Sequence, residues 1–492
     1  MAAARPQGPR PELGRLGIAL RGTGRSMLAG RRSARPLWAR LGPRLALGLV
    51  STLLGLFAAS PADAQRVDRD RELRPLYDPY LGMDPSGRIP KVPLPEDLPE
   101  PTRWRYIPEG RIMPGNMFER LFVSSFVSPQ IFFQEDVGLG GGIAITDIDF
   151  REQRRREFLG AFLTYSTEGQ ERYRLVWRRW LHHRELPDGG VAVEERSFLA
   201  AAGGYQRTLT RRFFGLGPDT KESAESSYTD EVTDFGTRLD LAWPRPGSDW
   251  IVSAGLRGEH HNLARGHVSG VPSTDDAYPT FFEEGDGVTA GWVTLGLRYD
   301  TRDSQHQPYS GWRVGVLVDA APYQSDGSMG AVFTGYGSVV FRVPPLFHRG
   351  GDPGEENPPT DTVALGFQVD TTVGDLPFYD LPSLGGPTTL RGYIANRFTD
   401  NSAWHAVAEY RFWVIPRGFR ITRTIRVERV GLAVFGELGT VADSLGDLPT
   451  AKVHASYGVG LRISLERLAV FRTDIGFSDE GTNLTVAFGL SF

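Results

Sequence analysis

The sequence contains no cysteine. That removes disulfide scaffolds, thiolate metal sites and cysteine nucleophiles together, and it suits an exported bacterial protein that avoids stray oxidation. No charge of one sign dominates: the net charge is −4 over 492 residues, so bulk electrostatics gives no case for nucleic acid. Beyond residue 65 no segment reaches the ~18 apolar residues of a membrane helix. There is no G-x-S-x-G nucleophile elbow, and no self-similar repeat of about 20–50 residues stands out. What remains is ordinary for a folded protein, with 40% hydrophobic and 23% charged residues.

The N-terminus has its own texture. Arg31, Arg32, Arg35, Arg40 and Arg44 form a basic flank to the apolar run Leu45 to Ala59. Ala62-Asp63-Ala64 then offers a small-x-small cleavage site, with Gln65 as the first mature residue. This three-part pattern predicts a secretory signal over 1–64, with Met27 as an alternative start. An exported membrane protein without apolar helices must cross the bilayer as a closed barrel.

Residues 65–119 are rich in proline and charge, as in Pro95-Glu96-Asp97-Leu98-Pro99-Glu100-Pro101, and read as an extended periplasmic linker or arm. From 120 to 492 the chain alternates, in stretches of ~10 residues broken by Gly, Asp, Asn and Pro. In the last stretch Leu484, Val486, Phe488, Leu490 and Phe492 fall on one face; Thr485, Ala487, Gly489 and Ser491 fall on the other. Before it, Arg472, Asp474 and Gly476 oppose Phe471, Thr473, Ile475 and Phe477. Earlier still, Arg462 and Ser464 oppose Leu461, Ile463 and Leu465. The expected fold is all-β: a transmembrane antiparallel barrel of about 16 strands, from 122–134 at its start to 483–492 at its end. A soluble sandwich also alternates. The opposed charges on neighbouring polar faces favour a barrel lumen, and Trp404, Trp413, Tyr457 and Phe492 near strand ends suit interface girdles.

One segment carries a family resemblance. Leu376-Pro377-Phe378-Tyr379-Asp380 and Gly385-Gly386-Pro387-Thr388-Thr389-Leu390-Arg391-Gly392-Tyr393 resemble the sixth extracellular loop of the BamA/TamA superfamily, also called the bacterial surface antigen family. Leu297 to Asp303, with Pro308 and Gly311 after it, resembles a second hallmark. The resemblance implies an inward-folded loop with Leu390, Arg391, Gly392 and Tyr393 at its tip. It also implies a glutamate partner on the next strand, matched by Glu409, and an F-x-D-x-G strand, here Phe435-Gly436-Glu437-Leu438-Gly439 with glutamate in place of aspartate. By alternation Phe435, Glu437 and Gly439 share the lumenal face, opposite Leu432, Val434 and Leu438. A buried guanidinium needs anionic partners, so Arg391 is expected to be clamped by Glu409 and Glu437 with bidentate geometry.

Other features carry less. Gly138-Leu139-Gly140-Gly141-Gly142 precedes no helix and is no phosphate loop. His182-His183 and His260-His261 are adjacent pairs whose side chains diverge in a strand, so they read as surface or interface histidines with no metal site. No catalytic residue and no cofactor is assigned. The resemblance implies protein insertion or translocation at the outer membrane through a seam between first and last strands. The implied partners are outer-membrane lipid, lipopolysaccharide, nascent outer-membrane clients and, with no POTRA module fitting 65–119, a separate periplasmic accessory protein. The alternatives are a passive pore or lipid/solute channel, and a structural or adhesion barrel acting through loops such as 263–287.

Overall fold

A computed structural model describes residues 83–84, 87–109, 126–282, 285, 287–352, 354–356, 358–420, 426–465, 469–488 and 490. The signal-peptide reading over 1–64, residues 120–125 and Phe492 lie outside these.

Sixteen antiparallel strands close into one barrel. They are β1 (Phe126–Gln134), β2 (Gly138–Asp147), β3 (Glu157–Ser166), β4 (Glu171–Trp180), β5 (Phe198–Phe213), β6 (Ser226–Trp243), β7 (Trp250–Arg265), β8 (Thr289–Asp300), β9 (Gly311–Gln324), β10 (Gly330–Val343), β11 (Asp361–Gly374), β12 (Ser402–Ile415), β13 (Arg426–Ala442), β14 (His454–Leu465), β15 (Ala469–Ser478) and β16 (Gly481–Phe488). Each pairs with its sequence neighbours. The alternation that predicts these strands also sorts their side chains. On β13, Leu432, Val434 and Leu438 face outward, while Ala433, Phe435 and Glu437 are buried inside. Outward aliphatic residues such as Leu139, Leu163, Leu256, Leu295 and Val316 continue the apolar belt around the wall. The described residues contain no helix able to cross a membrane.

Aromatic side chains mark both rims. Trp250, Tyr299 and Trp312 meet in a row, with ring centroids 5.0 and 5.1 Å apart, beside exposed Trp243. Tyr165, Tyr323 and Tyr457 are exposed at the opposite strand ends, as interfacial girdles require. Trp413 does not belong to them. It shares strand parity with Glu409, points inward and is buried near Arg429, whose guanidinium lies 5.6 Å from its ring.

Among the described residues β1 and β16 pair only at Phe133↔Val486, whereas the other long strand pairs extend over eight or more positions. Beside this junction the Phe132 ring lies directly over Gly140, where any side chain would collide with it. That is the local use of the glycine run.

The rim opposite the 375–401 loop is covered. The turn from Thr301 to Ser310 reaches inward: Gln307 accepts a hydrogen bond from Ser464 Oγ at 3.3 Å, and the Tyr309 hydroxyl accepts one from Arg429. Its base is fixed by the buried pair Arg302–Asp300, bidentate at 2.9 and 2.8 Å. Gly311 ends the turn at φ +105°, and a Cβ there would lie 2.6 Å from both Arg302 Cα and Thr301 O. Gly311→Ala should therefore cost about 1–3 kcal/mol, read as a lower urea midpoint of the refolded barrel. An unshifted midpoint would contradict this packing.

The described part of the N-terminal arm, residues 87–109, holds more structure than its composition predicts. Trp104–Ile107 pairs with Val191–Glu194, which pairs with His183–Glu185. The Lys91 amide donates to Gly354 O at 2.8 Å, and Arg103 bridges Asp249 at 2.8 Å and the Thr301 carbonyl at 3.1 Å. Proline and charge exclude a core of its own, and the arm gains order by borrowing partners from the rim turns.

Candidate functional site: an inward-folded loop and its carboxylate clamp

The loop between β11 and β12 leaves the wall at the turn Phe378–Asp380 and runs back on itself through the pair Ser383–Leu384 with Phe398–Thr399. Gly385 and Gly386 turn the chain at φ +110° and +96°, a region that glycine enters without steric cost. Leu384, Leu390, Tyr393 and Phe398 then pack on Ala403 and Val441 of the wall. This apolar contact holds the tip on the lumenal side of β12 and β13.

At the tip Arg391 is fully buried. Its Nε donates to Glu437 Oε1 at 2.9 Å and its backbone N–H donates to Glu437 Oε2 at 2.6 Å. Nη1 donates to Glu409 Oε2 and to Asp474 Oδ2, both at 3.0 Å. The guanidinium stacks on Phe435, 3.4 Å from the ring centroid. The expected fork-on-fork contact is thus corrected. The longer glutamate at 437 reaches past the side chain to the Arg391 backbone, and the third carboxylate is Asp474. Burial alone would lower the Arg391 pKa, but Glu437, Glu409 and Asp474 outweigh it and raise it above the ordinary value.

The clamp extends into the wall. Arg411 donates to Glu409 at 2.8 Å, Arg462 to Asp474 at 2.6 Å and to Glu409 at 3.1 Å, and Arg472 to Asp474 at 2.8 Å. Ser456 donates to Glu437 at 2.8 Å. Four arginines and three carboxylates compensate one another in a dry interior, where any lone charge is costly. Alternation alone puts Asp474, Arg462 and Arg472 on polar strand faces. Only the register of β14 with β15 brings them to Arg391.

Gly392 lies against backbone. A Cβ there would be 2.5 Å from Phe477 O, and one at Gly476 would be 2.4 Å from Arg391 O. Gly439 likewise makes room for Leu384. The Tyr393 hydroxyl donates to Asp479. Asn483 Nδ2 donates to the carbonyls of Arg391 and Tyr393, at 3.2 and 3.0 Å. The loop tip is therefore bonded to the last strand as well as to β13. On β16 itself Leu484 is exposed, Val486 half-buried, and Asn483 and Thr485 are buried on the lumenal face. Leu490 follows the strand beside a small cavity that Trp413 and Val470 also line.

The loop base is sandwiched. Phe378 packs among Phe213, Tyr228, Leu263 and Phe282, so the segment after β7 folds over the loop. His183 Nε2 donates to the Arg154 carbonyl at 2.8 Å. His260 meets Thr289 at the surface, but His261, read from sequence as a surface or interface side chain, is buried on the lumenal face of β7.

The family model for the Omp85 superfamily domain matches residues 113–492. No curated protein matches. Solved structures similar to this chain include BamA from Haemophilus ducreyi lacking POTRA domains 1–3, at 15% identity and TM-score 0.45, covering 75% of this chain and 70% of that one. CdiB from Acinetobacter baumannii aligns at 11% identity and TM-score 0.44, over 74% of this chain and 59% of that one. CdiB from Escherichia coli aligns at 11% and 0.47, over 74% and 63%. The chain thus spans less than two thirds of either CdiB.

Proposed function

This chain belongs to the Omp85 superfamily, whose barrels reside in the bacterial outer membrane, and we propose that it inserts or translocates proteins there by opening the seam between β1 and β16. The observation that supports this reading is that, among the described residues, β1 and β16 pair only at Phe133↔Val486. Strand edges with few ladder partners can template an incoming strand by β-augmentation. The free energy comes from the client folding into lipid, so the reading needs no nucleotide or cofactor.

Arg391 serves in this reading as a latch and not as a catalyst. Its loop bonds to Asn483 on the seam strand and to Glu437 on β13, so a docked loop favours one arrangement of the last strands. With residues 87–107 engaged at the rim, client delivery falls to a separate periplasmic protein.

Photocrosslinkers placed in cells along 484–490 should give adducts with newly made outer-membrane proteins. Adducts to β1 alone would overturn the reading. The passive-pore alternative predicts high conductance. Loop and rim turn both enter the lumen, so planar-bilayer conductance is expected to be low and to rise in Arg391→Ala. High conductance in the unaltered protein would favour the pore.

A further inference from the structure

His261 and Glu259 sit two residues apart on the lumenal face of β7, and Asp380 approaches them from the base of the inward loop. One ligand atom from each lies within 4.8 Å of the others, the one such group among the described residues. Asp230 Oδ1 is 3.0 Å from His261 Nδ1. A carboxylate only accepts, so Nδ1 carries a ring proton, and in the neutral ring Nε2 carries the lone pair. That lone pair faces Glu259 Oε1 at 4.0 Å.

Glu259 Oε2 is engaged by Arg257 at 2.9 Å, but Oε1 has no hydrogen-bond partner although its side chain is 3% exposed. With the ring neutral, these two electron-rich atoms repel in a dry site unless a cation lies between them, and the buried Glu259 Oε1 needs a partner in either case. The His261 ring is also held in place, stacked on Tyr379 with centroids 4.5 Å apart.

We propose that His261 Nε2, Glu259 Oε1 and an Asp380 carboxylate oxygen bind a first-row divalent cation that fastens the base of the inward loop to β7. One imidazole and two carboxylates suit Zn²⁺, with a fourth position for water. Tetrahedral bonds of about 2.0–2.1 Å place ligands about 3.4 Å apart, so the 4.0 Å gap closes by about half an ångström. Asp230 is the outer carboxylate that fixes the histidine tautomer, as at most histidine–metal sites. The adjacent pair His260-His261 concealed this set, because the ligand spacing is Glu259-x-His261 and the third ligand is remote in sequence. The inference stands apart from the assembly reading: it concerns how the loop base is held, whatever the barrel transports.

The test is calorimetric titration of ZnCl₂ into the purified full chain in detergent after EDTA treatment, paired with the midpoint of its heat-modifiable gel shift. One equivalent of Zn²⁺ should bind and raise the midpoint. His261→Gln and Asp380→Asn should each weaken binding by about tenfold or more, and His182→Gln should leave it unchanged. Asp380→Asn lies in the loop, so its folded gel form keeps the test valid if His261→Gln fails to assemble. Absence of binding would overturn the proposal, as would binding that Asp380→Asn leaves intact.

Discussion

Arg391→Ala is expected to free the loop and to destabilise the barrel by about 3–5 kcal/mol, the usual cost of removing one partner from a buried ion pair. The carboxylates do not suffer equally. Glu409 keeps Arg411 and Arg462, and Asp474 keeps Arg462 and Arg472. Glu437 loses both its Arg391 side-chain partner and the positioned backbone N–H, and is left with Ser456 and with His405 at 3.6 Å. The penalty should therefore concentrate at Glu437. Adding Glu437→Gln to Arg391→Ala should recover part of the stability, a non-additivity that a double-mutant cycle detects. Arg391→Lys keeps a charge but cannot contact three carboxylates and stack flat on Phe435 at once, so it should fall between. The readouts are the urea midpoint and protease cleavage between 376 and 401. Unchanged cleavage with a stability loss below about 0.5 kcal/mol would remove the latch.

Much of this architecture is legible in the sequence. Period-two alternation locates the strands because the wall separates lipid from lumen at every residue, leaving little room for ambiguity. It also puts Glu437 and Phe435 on the inner face. Trp413 shows where composition misled: aromatic type suggested a girdle, but parity with Glu409 turns it inward. Asp474 is assigned by alternation to a face and not to a partner, because meeting Arg391 depends on register with a strand 83 residues away, and Asn483 meets the Arg391 carbonyl from 92 residues away. The order of the 104–107 segment was hidden for a related reason. Its strand exists only by pairing with 191–194, and no local pattern encodes a borrowed edge.

The second large effect is expected at the seam. Phe133 and Val486 are Cα partners in register, a separation compatible with a disulfide, and the chain has no other cysteine to confuse the chemistry. In the double variant Phe133→Cys with Val486→Cys, oxidation should fasten β1 to β16 and remove the edges on which an incoming strand would pair. Each single variant should behave like the unaltered protein. The decisive measurement is insertion of newly made outer-membrane proteins by the double variant, oxidised and then reduced. The account predicts near-complete loss when oxidised and recovery on reduction. A fully cross-linked barrel that inserts clients as well as its reduced form would contradict it.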